Sequence, residues 1–195
     1  MVRTTNSPAT QWAQALETDG RLESWSSILQ RLASFSLRSP GVKAALQGRA
    51  AGHAIHPALV DIPLGSLTSA LVLDLVRGAR AADASRVLLA TATMSLAPAA
   101  ATGLAEWTDA DDRTQRVGAA HAALNLVGGV LTAGSWVARA RGHWKGGVWL
   151  TSAALTALSV SAYLGGHITL ARKYATHDAP ADLAGATSGV RPTDS

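Results

Sequence analysis

"VGAAHAALNLVGGVLTAGSWVA", residues 117–138, contains no aspartate, glutamate, lysine or arginine. A helix of that length exposed to water needs a polar face, with charged side chains at regular spacing. The strongly polar side chains here are His121 and Asn125, and the next charge is Arg139. Residues 147–170, "GVWLTSAALTALSVSAYLGGHITL", repeat the pattern, with His167 near the end. Helices built from these segments have no side suited to water, so they read as membrane spans rather than parts of a soluble bundle.

Two more apolar stretches precede them, from Pro57 to Val76 and from Val87 to Trp107. Each of the four is about 20 residues, matching the ~30 Å of hydrocarbon that a helix rising ~1.5 Å per residue must cross. The connections "RGARAADASR" (77–86), "TDADDRTQR" (108–116) and "ARARGHWKG" (138–146) are short and charged. Trp107, Trp136, Trp144 and Trp149 fall at the stretch ends, as in an interfacial aromatic belt. The interiors are rich in Ala, Gly, Ser and Thr, which let helices approach closely in lipid; "NLVGGVLTAGSW" and "YLGGH" read as contact faces. Pro98, midway along the second stretch, is expected to kink that helix and shape the bundle.

The fold expected is all-α: an integral membrane antiparallel four-helix bundle preceded by N-terminal amphipathic, interfacial helices. Three domains follow: a polar segment over 1–50, a four-span membrane domain over 51–172, and a polar, disordered tail over 173–195. In the first, "RLESWSSILQRLASF" sets Leu22, Trp25, Ile28, Leu29, Leu32 and Phe35 at helical spacing, and "VKAALQGR" reads as a second short helix. That apolar stripe either packs on the rest of the protein or lies in a membrane interface. The start lacks the charged, apolar and small-residue sequence of a signal peptide.

Short connections place both ends of the four-span unit on one side, here called side A; side B holds the first and third connections. Basic residues divide almost evenly, with Arg77, Arg80, Arg86, Arg139, Arg141 and Lys145 on side B. Lys43, Arg49, Arg113, Arg116, Arg172 and Lys173 lie on side A, so the positive-inside rule does not choose an orientation. There is no cysteine, which excludes disulfides and thiolate metal sites. The 17 Lys and Arg against 13 Asp and Glu are scattered, so no nucleic-acid surface is expected.

The stretch "AGHAIHPALVDIP", residues 51–63, crowds His53, His56 and Asp61 with two prolines at the start of the first span. His56 and His53 leave side A there, His121 sits about one turn into the third span, and His167 returns to side A at the end of the fourth. Asp61, Glu106, Asp109 and Asn125 fall near the same level. Polar groups inside a membrane are costly and are commonly paired or functional. Such a layer suits ligation of haem or another metal, quinone binding or proton transfer, and equally a hydrogen-bonded plug that fixes packing. A metal or haem site would draw on His56, His121 and His167. No HExxH, phosphate loop, GxSxG or cysteine nucleophile occurs, so the reading leans away from an enzyme.

The segments "GHAIHPALVDIPLGSLTSALVLDLV", "ATGLAEWTDADDRTQRVGAAHAALNLV" and "SAYLGGHITLA" resemble the predicted bacterial membrane proteins of the domain-of-unknown-function family 2231. The resemblance covers about residues 45–170 in order and spacing. It marks His53, His56, Pro57, Asp61, Pro63, Gly103, Glu106, Trp107, His121, Asn125, Gly165, Gly166 and His167. Ala54 replaces the family's proline, Glu106 its usual aspartate, and the sequence after His167 departs from the family. Some relatives carry a Rieske iron–sulfur domain, so the resemblance implies a link to electron transfer. The tail from Pro180 onward is short and polar, so a Rieske-type or other redox partner would be a separate protein. The expected function is a redox-linked, cofactor- or metal-binding membrane subunit of a bacterial cytoplasmic membrane, multi-pass, holding haem b or a metal ion. The alternatives are a non-catalytic scaffold with a structural plug, or a small transporter or proton conductor. Its partners would be the lipid bilayer and that redox protein, with a homo-oligomer left open.

Overall fold

A computed structural model describes residues 7–171. The tail expected over 173–195 lies outside the described residues, as does His177. Every regular element among the described residues is helical: α1 (Pro8–Thr18), α2 (Arg21–Ser36), α3 (Pro40–Leu46), α4 (His56–Arg77), α5 (Ala82–Trp107), α6 (Asp112–Ala140) and α7 (Trp144–Gly166). Three stretches are long and apolar enough to cross a membrane: His56–Trp107, Asp112–Ala140 and Trp144–Leu170. The first comprises α4 and α5, joined by a short turn at Gly78–Ala81.

Local chemistry sets the breaks. Gly78 ends α4 at φ 60° and ψ −148°, a conformation open to glycine and strained for other residues. The α6 N-terminus is capped by Asp111, which accepts from the Arg113 and Thr114 N–H groups at 3.1 and 3.2 Å. At its other end Gly142 has φ 78°; its N–H reaches the Arg139 carbonyl at 3.0 Å, and the His143 N–H reaches Ala138 at 2.8 Å. This paired return closes the helix and turns the chain into α7. Beyond Gly166 one wider turn, His167–Ala171, completes the run. The helices thus extend up to about a turn and a half beyond the apolar stretches, because charged residues at the ends can cap them while lying outside hydrocarbon.

Side-chain contacts show how the helices pair. Ser85 on α5 reaches Asp74 on α4 at one end, while His56 reaches the Ala99 carbonyl at the other, so α4 and α5 run antiparallel. Ser135 bonds Thr151 and His121 bonds Ser161, which gives the same sense to α6 and α7. Close approach is achieved with small residues. A Cβ at Gly128 would stand 2.6 Å from the Leu158 side chain, and Thr132, Ser135, Thr151 and Ser161 are buried along the α6–α7 seam. An apolar core of Leu67, Ala70, Leu89, Ala92, Ala154 and Leu158 joins α4, α5 and α7.

Other large apolar side chains point outward: Leu75, Met94, Val130 and Trp149 are exposed. Small-residue seams with large apolar side chains on the outer face are the arrangement expected where the surroundings are lipid. The tryptophans divide. Trp136 and Trp149 face outward, whereas Trp107 is buried, donating Nε1–H to the Gln115 carbonyl at 3.0 Å with its ring over Gly118. Trp107 therefore locks the α5–α6 turn instead of joining a belt.

The N-terminal helices dock at side A. The Trp25 indole donates to the Ala119 carbonyl at 3.1 Å, and Gln30 donates to Gln115 at 2.6 Å. Ala13 packs with Val117 and Leu164. The expected helices at 21–35 and 42–49 correspond to α2 and α3. The helix α1 was not anticipated; Ser7 caps it, accepting from the Thr10 N–H at 3.2 Å, and Pro8 starts its first turn.

Candidate functional site

The side A polar residues divide into separate small networks. His56 opens α4, and its Nδ1 faces the Ala99 carbonyl at 2.8 Å, with the Thr102 hydroxyl at 3.3 Å. A carbonyl only accepts, so the proton is on Nδ1 and Nε2 carries the lone pair. The ring lies against Gly103, where a Cβ would stand 2.7 Å from it. Glu106, one turn further along α5, accepts from the His56 backbone N–H. Pro57 has no N–H to satisfy in this first turn, and Glu106 serves as the cap that α4 lacks locally. Pro63, also within α4, is buried.

His121 belongs to a closed network. Its Nδ1–H donates to the Ser161 carbonyl at 2.8 Å, and the Asn125 amide donates to Nε2 at 2.9 Å. The Ser161 hydroxyl donates in turn to the Asn125 side-chain oxygen at 2.9 Å and lies 3.0 Å from the His121 carbonyl. Both ring nitrogens are engaged, in the neutral tautomer, and the network ties α6 to α7. Gly165 leaves room for the ring, as a Cβ there would stand 3.2 Å from it.

The remaining sequence candidates go elsewhere. His53 is exposed, and its Nδ1 bonds the Ala51 carbonyl at 2.8 Å. His167 is buried and bonds Glu17 of α1 at 2.9 Å. Asp61 faces outward from α4 and makes no hydrogen bond or ion pair among the described residues. Asp109 pairs with Lys43 and Gln47 in the α5–α6 turn. Thus His56 and Glu106 come together, as do His121 and Asn125, while His53, Asp61 and His167 stand apart. Among the described residues no three His, Asp or Glu side chains gather as a metal-binding group.

A second polar centre, at the side B end, was missed by the sequence reading. Asp74 of α4 and Arg139 of α6 form an ion pair whose side chains are 0% and 1% exposed. Asp74 also accepts from the Ser85 hydroxyl at 2.8 Å and the Trp144 indole at 3.1 Å. Arg139 bonds both the hydroxyl and carbonyl of Ser135, and that hydroxyl lies 2.7 Å from Thr151. Gly147 admits the guanidinium: a Cβ there would stand 2.5 Å from Nη1. Arg139 Nε is buried and has no hydrogen-bond partner among the described residues. The centre joins α4, α5, α6 and α7. Its signal was an aspartate inside an apolar stretch and an arginine closing another, at the same end of the chain's helices. Arg139 was read there as a flanking charge.

Comparison with curated proteins and with solved structures finds no match. A family model described as a predicted membrane protein, DUF2231, matches residues 52–179, which include α4 to α7 and both polar centres. The chain therefore belongs to the DUF2231 family of predicted membrane proteins.

Proposed function

We propose that the chain is a non-catalytic, multi-pass scaffold of a bacterial cytoplasmic membrane. In this reading α4, α5, α6 and α7 each cross the bilayer as an antiparallel bundle, and the His121 and His56 networks connect helices. The observation that carries it is the His121 ring, whose two nitrogens are held by Ser161 and Asn125. A ligand-binding imidazole keeps a lone pair directed at its ligand, whereas a connector uses both nitrogens. The outward large apolar residues and small-residue seams support the spans.

Two measurements test the reading. Single cysteines at Ala79, Thr108 and Arg141 can be labelled with a membrane-impermeant maleimide in intact and permeabilised cells. Four spans require Ala79 and Arg141 to label from one side and Thr108 from the other; any other pattern overturns the topology. An oxidised-minus-reduced spectrum with metal analysis on purified protein tests the scaffold, which predicts a flat, metal-free result.

A second reading, a redox subunit serving a separate Rieske-type protein, is favoured by His56. Its Nε2 makes no hydrogen bond among the described residues, and Glu106 accepts from the His56 backbone N–H. Haem b, if bound, would be held by His56 and would supply one-electron transfer. A second histidine fits the group poorly, because His121 or His167 would have to leave Ser161 and Asn125 or Glu17. A Soret band lost in His56→Ala would establish this reading over the scaffold.

A further inference from the structure

The apolar stripe of α2 is only partly covered. Trp25 and Gln30 reach α6, and Ser26 and Ala33 are buried on that flank. Along the other flank Ile28, Leu32 and Phe35 are 47%, 58% and 68% exposed. Their spacing, i, i+4 and i+7, makes one continuous row along the helix. The stripe from Leu22 to Phe35 therefore has a docked flank and a free one.

The depth of this row follows from what α2 holds. Its anchors, Gln115 and Ala119, bracket the point where the charged start of α6 gives way to its charge-free part. The neighbouring α1 packs Ala13 against Val117 and Leu164, so both helices lie alongside the side A ends of α6 and α7 rather than beyond them. An apolar row at that level, facing away from the bundle, meets the boundary between headgroups and acyl chains.

Charge selects the lipid. Acidic side chains near the docked face are paired away from the row: Asp19 with Arg21, Glu23 with Arg116, and Glu17 with His167. On the free side Arg38 stands 4.4 Å above the Phe35 ring, and the Arg31 side chain makes no ion pair or hydrogen bond among the described residues. A guanidinium stacked on an inserted aromatic is placed to meet phosphate while the ring stays in apolar surroundings.

Resting on the membrane reading above, we propose that Ile28, Leu32 and Phe35, with Arg31 and Arg38, form a docking surface for acidic phospholipids in the side A leaflet. The three apolar side chains enter the acyl boundary, and the two guanidiniums bind headgroup phosphates.

The cysteine-free sequence allows single spin labels at position 32 of α2, at Met94 on the outer face of α5, and at Asp112. The protein is placed in nanodiscs of phosphatidylcholine, alone or mixed equally with phosphatidylglycerol. Collision with oxygen and with a water-soluble nickel complex then reports depth. The expected result is a label at 32 that favours oxygen several-fold over nickel in the mixed discs. Arg31→Glu with Arg38→Glu should shift it toward nickel. A label at 32 as open to nickel as that at 112, with 94 still in lipid, overturns the docking surface and leaves the spans intact. A label at 94 open to nickel overturns the membrane reading itself. A label at 32 shielded from both reagents means that another part of this chain or a second copy covers the row, and it also overturns the proposal. If the arginine changes have no effect in the mixed discs, acidic-lipid selection fails.

Discussion

The two polar centres solve the same problem in different ways. At side B, Asp74 and Arg139 place full charges in the interior and surround them with donors and acceptors from α4, α5, α6 and α7. At side A, His56 and His121 use neutral hydrogen bonds, each linking two helices. A buried charge is tolerated only while its partner is present, whereas a neutral network loses one bond at a time. The difference teaches where the fold is all-or-none and where it can adjust.

The largest expected effect comes from breaking the charged centre on one side only. Asp74→Leu leaves Arg139 buried without its counter-charge and is expected to cost ~3–5 kcal/mol, read as a lower midpoint in thermal unfolding of the detergent-solubilised protein. Combining it with Arg139→Leu should recover much of that loss. Wild-type stability in the single variant would mean that the pair does not hold the helices.

Crowding the same centre comes next. Gly147→Val drives a side chain into the guanidinium and is expected to cost ~1–3 kcal/mol, while Gly146→Val, in open space one residue away, serves as the control. Equal midpoints for the two variants would break the packing argument.

The neutral network should yield less. Asn125→Ala removes the donor to His121 Nε2 and the acceptor for Ser161, a loss of about 1–2 kcal/mol by urea unfolding in mixed micelles. A loss as large as that of Asp74→Leu would erase the contrast between the centres.

The smallest effect belongs to the side A surface. Burial works to raise the Asp109 carboxyl, but hydrogen bonds from Lys43 and Gln47 outweigh it and hold it below its ordinary value of 3.8. A lowered folded value means that the contribution is complete above 3.8 and is lost as pH falls through the folded value. Because the Asp109 side chain is 47% exposed, solvent screens the pair and the change is slight. A fluorophore on α3 should report its loosening in acid, and Asp109→Asn should abolish that transition.

The long apolar helices were legible because absence of charge is a strong signal over about 20 residues. Contacts were legible only where depth alone decides them. His121 and Asn125 are one helical turn apart, so their meeting follows from sequence; the choice of Ser161 as third member follows from how α7 is rotated. His167 was assigned to the histidine layer because its real partner, Glu17, lies on α1, a short helix with only Trp12 and Leu16 as large apolar residues. Asp74 escaped because one acid among leucines and valines barely alters an apolar run, although its pairing with Arg139 joins helices far apart in the chain.

That separation sets an order of events during biogenesis. Arg139 follows Asp74 by 65 residues, so a growing chain delivers the acid to the translocon well before its base is synthesised. On the four-span reading, the first hairpin carries Asp74 without its counter-charge until α6 arrives. Joining of the ions then marks completion. A chain truncated after α5 is expected to be cleared by membrane proteolysis in pulse–chase, and Asp74→Leu in that truncation should lengthen its lifetime. Equal decay of the two truncations would sink this account. On that reading the bond in space also has a place in time, late in the making of the chain.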